Sequence, residues 1–267
     1  MDTGLLADKF ARMGARVQVR EVVNEPFRWR PRPPGIDIGT DDHGEFFDIR
    51  VGDEERVEYE VADLQPDMRH LLLLARRDGV KEKYLCGHDE RHWFVCAVPG
   101  ASVSGVRTAL EALQPFDERW IARNIRRQKN RFRRRNEAFV RQGEWFFVPD
   151  PAVVVPEWLV HRNEPLSRGA GSKPHVCQFA YRTRGIGVWV CTRFPVGVTF
   201  EQYDNIVKRN PKARNWNWQL FLRGAGVFAR GTVRHADHKT VTLDGWHRVF
   251  MNLEHNAPFA PRVAFLD

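Results

Sequence analysis

The sequence predicts an α+β protein of mostly antiparallel β-strands with a few helices, one of them long and basic near 117–140. Three observations lead there. Short β-branched and aromatic runs follow one another in clusters instead of alternating with helices, which argues against a parallel α/β sheet. Turn pairs recur between them: Arg184-Gly185, Arg223-Gly224 and Asp244-Gly245. Few stretches carry a helical period.

At the start, Leu5, Leu6, Phe10 and Met13 fall at helical spacing over residues 4–14. VQVREVV (17–23) alternates and is β-branched, hence a strand. RPRPPG (30–35) reads as an extended linker, because proline lacks an N–H and turns its predecessor away from helix. Strand candidates follow at 45–51, 56–62, 69–76, 83–87 and 92–98, the last two forming a hairpin across HDER. SVSGVRTALEAL (102–113) reads as a helix capped by Ser102 or Ser104.

RWIARNIRRQKNRFRRRNEAFVR (119–141) has no Gly or Pro and follows two acids, Asp117 and Glu118, where a helix dipole favours them. Its Ile121, Ile125, Phe132 and Phe139 share one stripe. The expectation is a helix that docks a narrow apolar edge and leaves the rest of its circumference cationic. GEWFFVP (143–149) is a strand, and PDPAVVVP (149–156) a boundary or linker. The remainder reads as strands at 175–182, 187–194, 227–234, 238–243 and 246–252, with one helix near 199–208. The organisation expected is an N-terminal α+β region (1–115), the basic helix (116–142) and a C-terminal β-rich region (143–267), or one continuous domain. No repeat of fixed period occurs.

Composition narrows the class. Hydrophobic residues make up 42%, with 18 Phe and 9 Trp, enough for a core and too many for a disordered chain. Cys86, Cys96, Cys177 and Cys191 form no CxxC pair and sit in apolar runs, so buried thiols are expected, although an even count permits two disulfides. MDTGLLADKFARM is not a secretory signal, and the longest aliphatic run, Leu71 to Leu74, is far too short for a membrane span. A soluble, cytoplasmic protein with no membrane role is expected.

Charge is the most informative feature for function. Residues 119–141 hold ten Lys or Arg and one acid, Glu137, about +9. The whole chain carries +8, so the rest, with 32 basic and 33 acidic residues, sums to about −1. A concentrated cationic stripe is the footprint of a polyanion, most often nucleic acid, RNA or DNA. The expected phosphate contacts are Arg123, Arg126, Arg127, Lys129, Arg131, Arg133 and Arg134. Lys173, in the Gly-rich loop EPLSRGAGSKPH (164–175) between Arg168 and His175, adds a cation beside backbone amides that can cradle phosphate. Trp216, among Lys208, Arg209, Lys212 and Arg214, offers a ring on which a base can stack. The loop equally suits a solvated surface, and Trp216 a core-facing strand edge.

Chemistry concentrates in two histidine regions. GHDERHWF (87–94) sets His88 and His92 around Asp89 and Glu90; a hairpin lets the two imidazoles face each other as metal ligands, or leaves them at a polar tip. RHADHKTVTLDGWHRV (234–249) holds His235, Asp237, His238 and His247. Two strands joined across LDGW bring His238 near His247, a set suited to acid–base work or to a divalent metal such as Zn or Mn. The expected catalytic group is therefore His235, Asp237, His238 and His247, and the expected metal ligands His88, His92, His235 and His238. Surface histidines are the plainer alternative. Residues 234–249 also resemble, over about a dozen residues, the second motif of Hint (hedgehog/intein) self-splicing domains. That family needs an upstream nucleophile and a C-terminal Asn, which this chain does not match, so self-splicing is not expected. GxSxG, Rossmann GxGxxG and Walker A patterns are absent.

Two functional expectations result. One is a nucleic-acid-binding protein, enzymatic if the two histidine regions meet in space, as a metal-dependent nuclease would require. The other is a non-enzymatic protein that docks an acidic protein partner through its basic segment.

Overall fold

The structure is a computed structural model, and it describes residues 3–22, 35–52, 57–77, 79–100, 102–168, 173–223 and 225–253. It is a mixed α+β fold with mostly antiparallel strands. The first half contains α1 (Thr3–Arg12), β1 (Val17–Val22), β2 (Gly35–Asp41), β3 (Gly44–Gly52), β4 (Glu58–Gln65), β5 (His70–Arg77), β6 (Val80–His88), β7 (Trp93–Ala97) and α2 (Val106–Ala112). The second contains α3 (Glu118–Asn124), β8 (Val140–Gln142), β9 (Trp145–Pro149), β10 (His161–Leu166), β11 (His175–Thr183), β12 (Ile186–Cys191), β13 (Phe194–Val198), α4 (Phe200–Arg209), β14 (Gln219–Arg223), β15 (Gly226–Arg234) and β16 (Val241–Met251). Among the described residues no helix is long and apolar enough to cross a membrane.

The strands form four sheets, ordered β1-β3-β2, β4-β5-β6-β7, β10-β11-β15-β16-β9-β8 and β13-β12-β14. Only β1 and β3 pair in parallel among the described strands. The run LLLL on β5 is explained by cover on both faces. Leu71 and Leu73 pack with Phe10, Phe47 and Ile49 from α1 and the first sheet. Leu72 faces the other way, onto Val106, Ala109 and Leu110 of α2. The six-stranded sheet has a core of its own around Phe147, Cys177, Ala229 and Val233. The four cysteines are buried, and none is part of a disulfide.

Several expectations change. The cap of α2 is neither Ser102 nor Ser104: Asp63 Oδ2, on β4, accepts from Val106 N at 2.8 Å, so a tertiary contact starts the helix. The strands expected at 238–243 and 246–252 are one strand. β16 runs straight through Asp244 and Gly245, with Gly245 at φ +83° and the register shifting opposite it. A bulge has taken the place of the turn. Most of the linker RPRPPG lies outside the described residues.

The long basic helix does not form. α3 stops at Asn124, a short 3-10 turn spans Gln128–Asn130, and an irregular stretch leads to β8. The apolar stripe is buried, but in two places. Ile121, Ile125 and Phe139 join Phe146 under the six-stranded sheet. Phe132 instead reaches the α2 core. No single helix face can serve both. Asparagine side chains also compete for the backbone: Asn136 Oδ1 accepts from Ala138 N at 2.9 Å and Phe139 N at 3.0 Å. A helix would also crowd ten cations along its length, each i,i+4 pair opposing it by a few tenths of a kcal/mol.

Candidate functional site: a histidine cluster beside a cavity

The turn between β15 and β16 carries His235, Asp237 and His238, and three neighbours hold it. Gln142 on β8, fully buried, donates through Nε2 to Val233 O (3.1 Å) and Lys239 O (2.8 Å). Glu90 Oε2 accepts from Lys239 N at 2.6 Å. Lys173 Nζ lies 2.8 Å from Asp237 Oδ1. With the turn fixed this way, His175 at the start of β11 meets both loop histidines. Ring centroids are 4.1 Å apart for His175 and His235, 4.6 Å for His235 and His238, and 5.4 Å for His175 and His238. One nitrogen from each imidazole lies within 4.8 Å of the other two, a donor set that can hold a metal.

The three rings are not equivalent. His235 is satisfied: its Nδ1 accepts from Asp237 N and its Nε2 donates to Lys173 O, both at 3.1 Å. His175 is 1% exposed, and neither of its nitrogens has a hydrogen-bond partner. His238 Nδ1 approaches Asp89 Oδ2 to 3.2 Å, without the alignment of a formed hydrogen bond. Both Nε2 atoms converge on Gly143, in the β8–β9 turn. A Cβ there would sit 2.7 Å from His238 Nε2 and 3.2 Å from His175 Nε2. Gly143 also holds φ +57°, which favours glycine.

All three imidazoles are pushed toward the neutral, ligating form. Burial lowers His175 to about 3, and the neighbouring rings add to it. His235 and His238 are lowered by burial, partly opposed by the Lys173 carbonyl at His235 and by Glu144 at His238.

The two histidine regions do meet in space, through their acids. Asp89, 7% exposed at the β6–β7 tip, touches His238 and pairs with Arg134. Glu90 joins Arg134 and the Lys239 amide. His88 and His92 do not form a facing pair. His88 packs edge-on against Trp93 at 4.8 Å, and His92 Nδ1 lies 2.6 Å from Glu45 on β3. His247 lies apart from the cluster, because β16 does not reverse. It pairs with Ala229 and Pro149, and its Nδ1 donates to Gly245 O at 3.0 Å.

A cavity of about 480 Å³ opens beside the cluster, with His92, Asp89, Gly143, Glu144, Asp237 and His238 in its wall. The basic residues divide. Arg123, at the end of α3, and Arg126, Arg127, Lys129 and Arg133, on the stretch after it, are exposed. Arg131 is held by Glu111 at 3.0 Å, and Arg134 by Asp89 and Glu90. Trp216 lies in an aromatic group on the small sheet, 6.2 Å from Trp218, with the Arg193 guanidinium 4.3 Å above its ring.

Sequence reasoning did not count His175 or Glu144 as site residues. His175 stood only as the edge of a Gly-rich loop, and nothing local distinguishes Glu144. Comparison with family models, with curated proteins and with solved structures finds no match for the chain.

Proposed function

We propose that this chain binds nucleic acid and processes RNA or DNA at a divalent-metal centre made by His175, His238 and, once its Nδ1 releases the Asp237 amide, His235. The observation that carries the reading is His175, a buried imidazole with both nitrogens unpartnered. Leaving such a group unsatisfied costs about 1–3 kcal/mol, and a metal ion would offset that cost. Imidazole donors suit Zn or Mn, and ligation needs the neutral form that burial already favours. A bound ion would supply an activated water near neutral pH, and Glu144, in the adjoining wall, would be placed to hold a proton there. The Asp89–His238 approach supports the reading as well, since metal-bound histidines commonly direct the other nitrogen at a carboxylate. The exposed arginines on the neighbouring stretch supply the attraction for phosphate.

The test has two arms. EDTA-stripped protein is titrated with Zn and with Mn by calorimetry, beside His175→Leu and Gly143→Ala. One ion per chain should bind, and both variants should lose at least tenfold in affinity. Unchanged binding in both sinks the metal centre. Labelled RNA and DNA are then titrated across salt. Five exposed cations predict a log–log slope of roughly −4; a slope near −1 removes the basic stretch as the binding element.

A second reading, docking of an acidic protein, has one observation in its favour: Arg123, Arg126, Arg127 and Lys129 are exposed and lie outside the cavity lining. It requires that His175→Leu leave every activity intact.

A further inference from the structure

We infer that the cavity beside the histidine cluster is a binding pocket for one nucleotide, its base against the aromatic wall and its phosphate at the cationic and histidine side. The inference rests on the metal-centre reading for the role of the phosphate end, but the pocket stands on its own walls. At about 480 Å³ it lies in the range of small-ligand sites.

Those walls are of two kinds. One is apolar and aromatic, from the junction of two cores: Leu110 and Phe132 from the α2 core, Phe139 and Phe146 from under the six-stranded sheet. Phe132 is half-buried, with the Arg131 guanidinium 5.9 Å from its ring centroid. The other wall is mixed: Arg133, Arg141, Lys173 and His238 stand among Glu45, Asp89, Glu144 and Asp237, with Lys173 paired to Asp237 at 2.8 Å. Two polar atoms set into the lining have no hydrogen-bond partner: Arg141 Nε, a donor, and Asn252 Oδ1, an acceptor. Asn252 is anchored through its backbone, its N donating to Glu144 O at 2.8 Å, so its amide is held at the wall.

A ligand for this space needs a planar apolar face, an N–H for the asparagine oxygen and an anionic end for the cations. A purely apolar ligand would leave the Arg141 Nε donor unmatched, and inorganic phosphate would leave the aromatic side unfilled. A nucleotide meets all three needs, because every base has a π face and edge donors. A base bound here cannot be stacked in a duplex, so the source is a free nucleotide or the end or unpaired position of a strand.

The experiment follows Trp fluorescence of the full chain, loaded with Zn or Mn and separately in EDTA. Titrants are the four nucleoside 5′-monophosphates, the matching nucleosides, inorganic phosphate and single-stranded pentanucleotides. A monophosphate should bind at least tenfold more tightly than its nucleoside or than phosphate. Phe132→Ala should weaken the monophosphate about tenfold and leave phosphate unchanged. Asn252→Leu should weaken the monophosphates unequally, because their base edges differ. Tighter binding of a pentanucleotide than of any monophosphate identifies a strand as the source; the reverse identifies the free nucleotide. Equal binding of phosphate and monophosphate, or equal loss of both in Phe132→Ala, overturns the pocket. Metal uptake without nucleotide binding overturns the pocket and spares the metal centre. Nucleotide binding in EDTA, with no metal uptake, does the opposite.

Discussion

Two stretches border the same cavity, and they treat their chemical groups in opposite ways. Residues 119–141 are dense in charge, yet the structure spends part of it internally: Arg131 goes to Glu111, and Arg134 to Asp89 and Glu90. The remaining cations are solvated, where each is worth little to the fold. The turn 235–240 is short and nearly neutral, yet beside it stand His175 with two unpartnered nitrogens and His238 with one. Burial makes the difference. A charge in water needs no partner, whereas a buried polar atom without one marks a place where something else is expected to bind. Charge density suggests a polyanion, while unsatisfied burial marks where the proposed metal centre would sit.

The largest effect should come from the residue that joins the two stretches. Asp89 is buried and faces His238, Arg134 and Arg141. Asp89→Asn removes the carboxylate that these three groups share and leaves Arg134 with Glu90. We expect a loss of about 3 kcal/mol in denaturant unfolding. Glu60→Gln, which breaks the exposed Glu60–Arg76 pair on β4 and β5, should cost under about 1 kcal/mol. Similar costs for the two would mean that the hairpin tip is solvated and that the two regions are not coupled through it.

How much of this was legible depends on which force decided each element. Strands at 17–23, 45–51, 69–76, 83–87 and 92–98, and the helix near 199–208, were readable because their own residues set the pattern. Thr199 and Gln202 even form a reciprocal cap at the start of α4. The basic helix was misread because Phe132 and Phe139 fit a heptad, and periodicity cannot tell that the two rings go to different cores. The short strands β10 and β13 escaped for a related reason: HRNEPL and FPVGV form by pairing with β11 and β12, not by propensity. At the site, His235 and His238 were visible as a pair six residues from β16's bulge. His175 joins them from sixty residues earlier in the chain, through the β11–β15 pairing, which no local pattern carries.

His175→Leu sharpens the comparison through pH. The His175 imidazole is held near 3 by burial, against roughly 6.5 in an unfolded chain. The unfolded state therefore binds a proton that the folded state refuses. Stability is full above about pH 6.5 and falls as pH drops from there toward 3. In EDTA, the wild type should lose up to about 1.4 kcal/mol per pH unit from this group within that window. His175→Leu should flatten the profile and, at pH 7.5, stabilise the metal-free protein by about 1 kcal/mol, since two orphaned polar atoms disappear. Added Zn should then stabilise the wild type and not the variant. An unchanged acid limb in His175→Leu would mean that His175 is hydrated in solution, and the contrast between the two stretches would collapse.

The smallest effect is the most decisive about the basic stretch, because its sign differs between the two conformations. Within a helix, Asn136 is a poor residue, and Asn136→Ala would stabilise by roughly 0.5 kcal/mol. In the structure, Asn136 Oδ1 holds the amides of Ala138 and Phe139, and its Nδ2 reaches Asn130 O at 3.3 Å. Ala138 and Phe139 are buried, so their amides would lose a partner that water cannot readily replace. Asn136→Ala should therefore destabilise by about 1 kcal/mol in thermal or denaturant unfolding. A destabilised variant places the cations on a looped edge of the cavity, where Arg133 can reach a phosphate held beside His238. A stabilised one would restore the helix, turn the cations outward along a rod, and separate phosphate attraction from the histidine cluster.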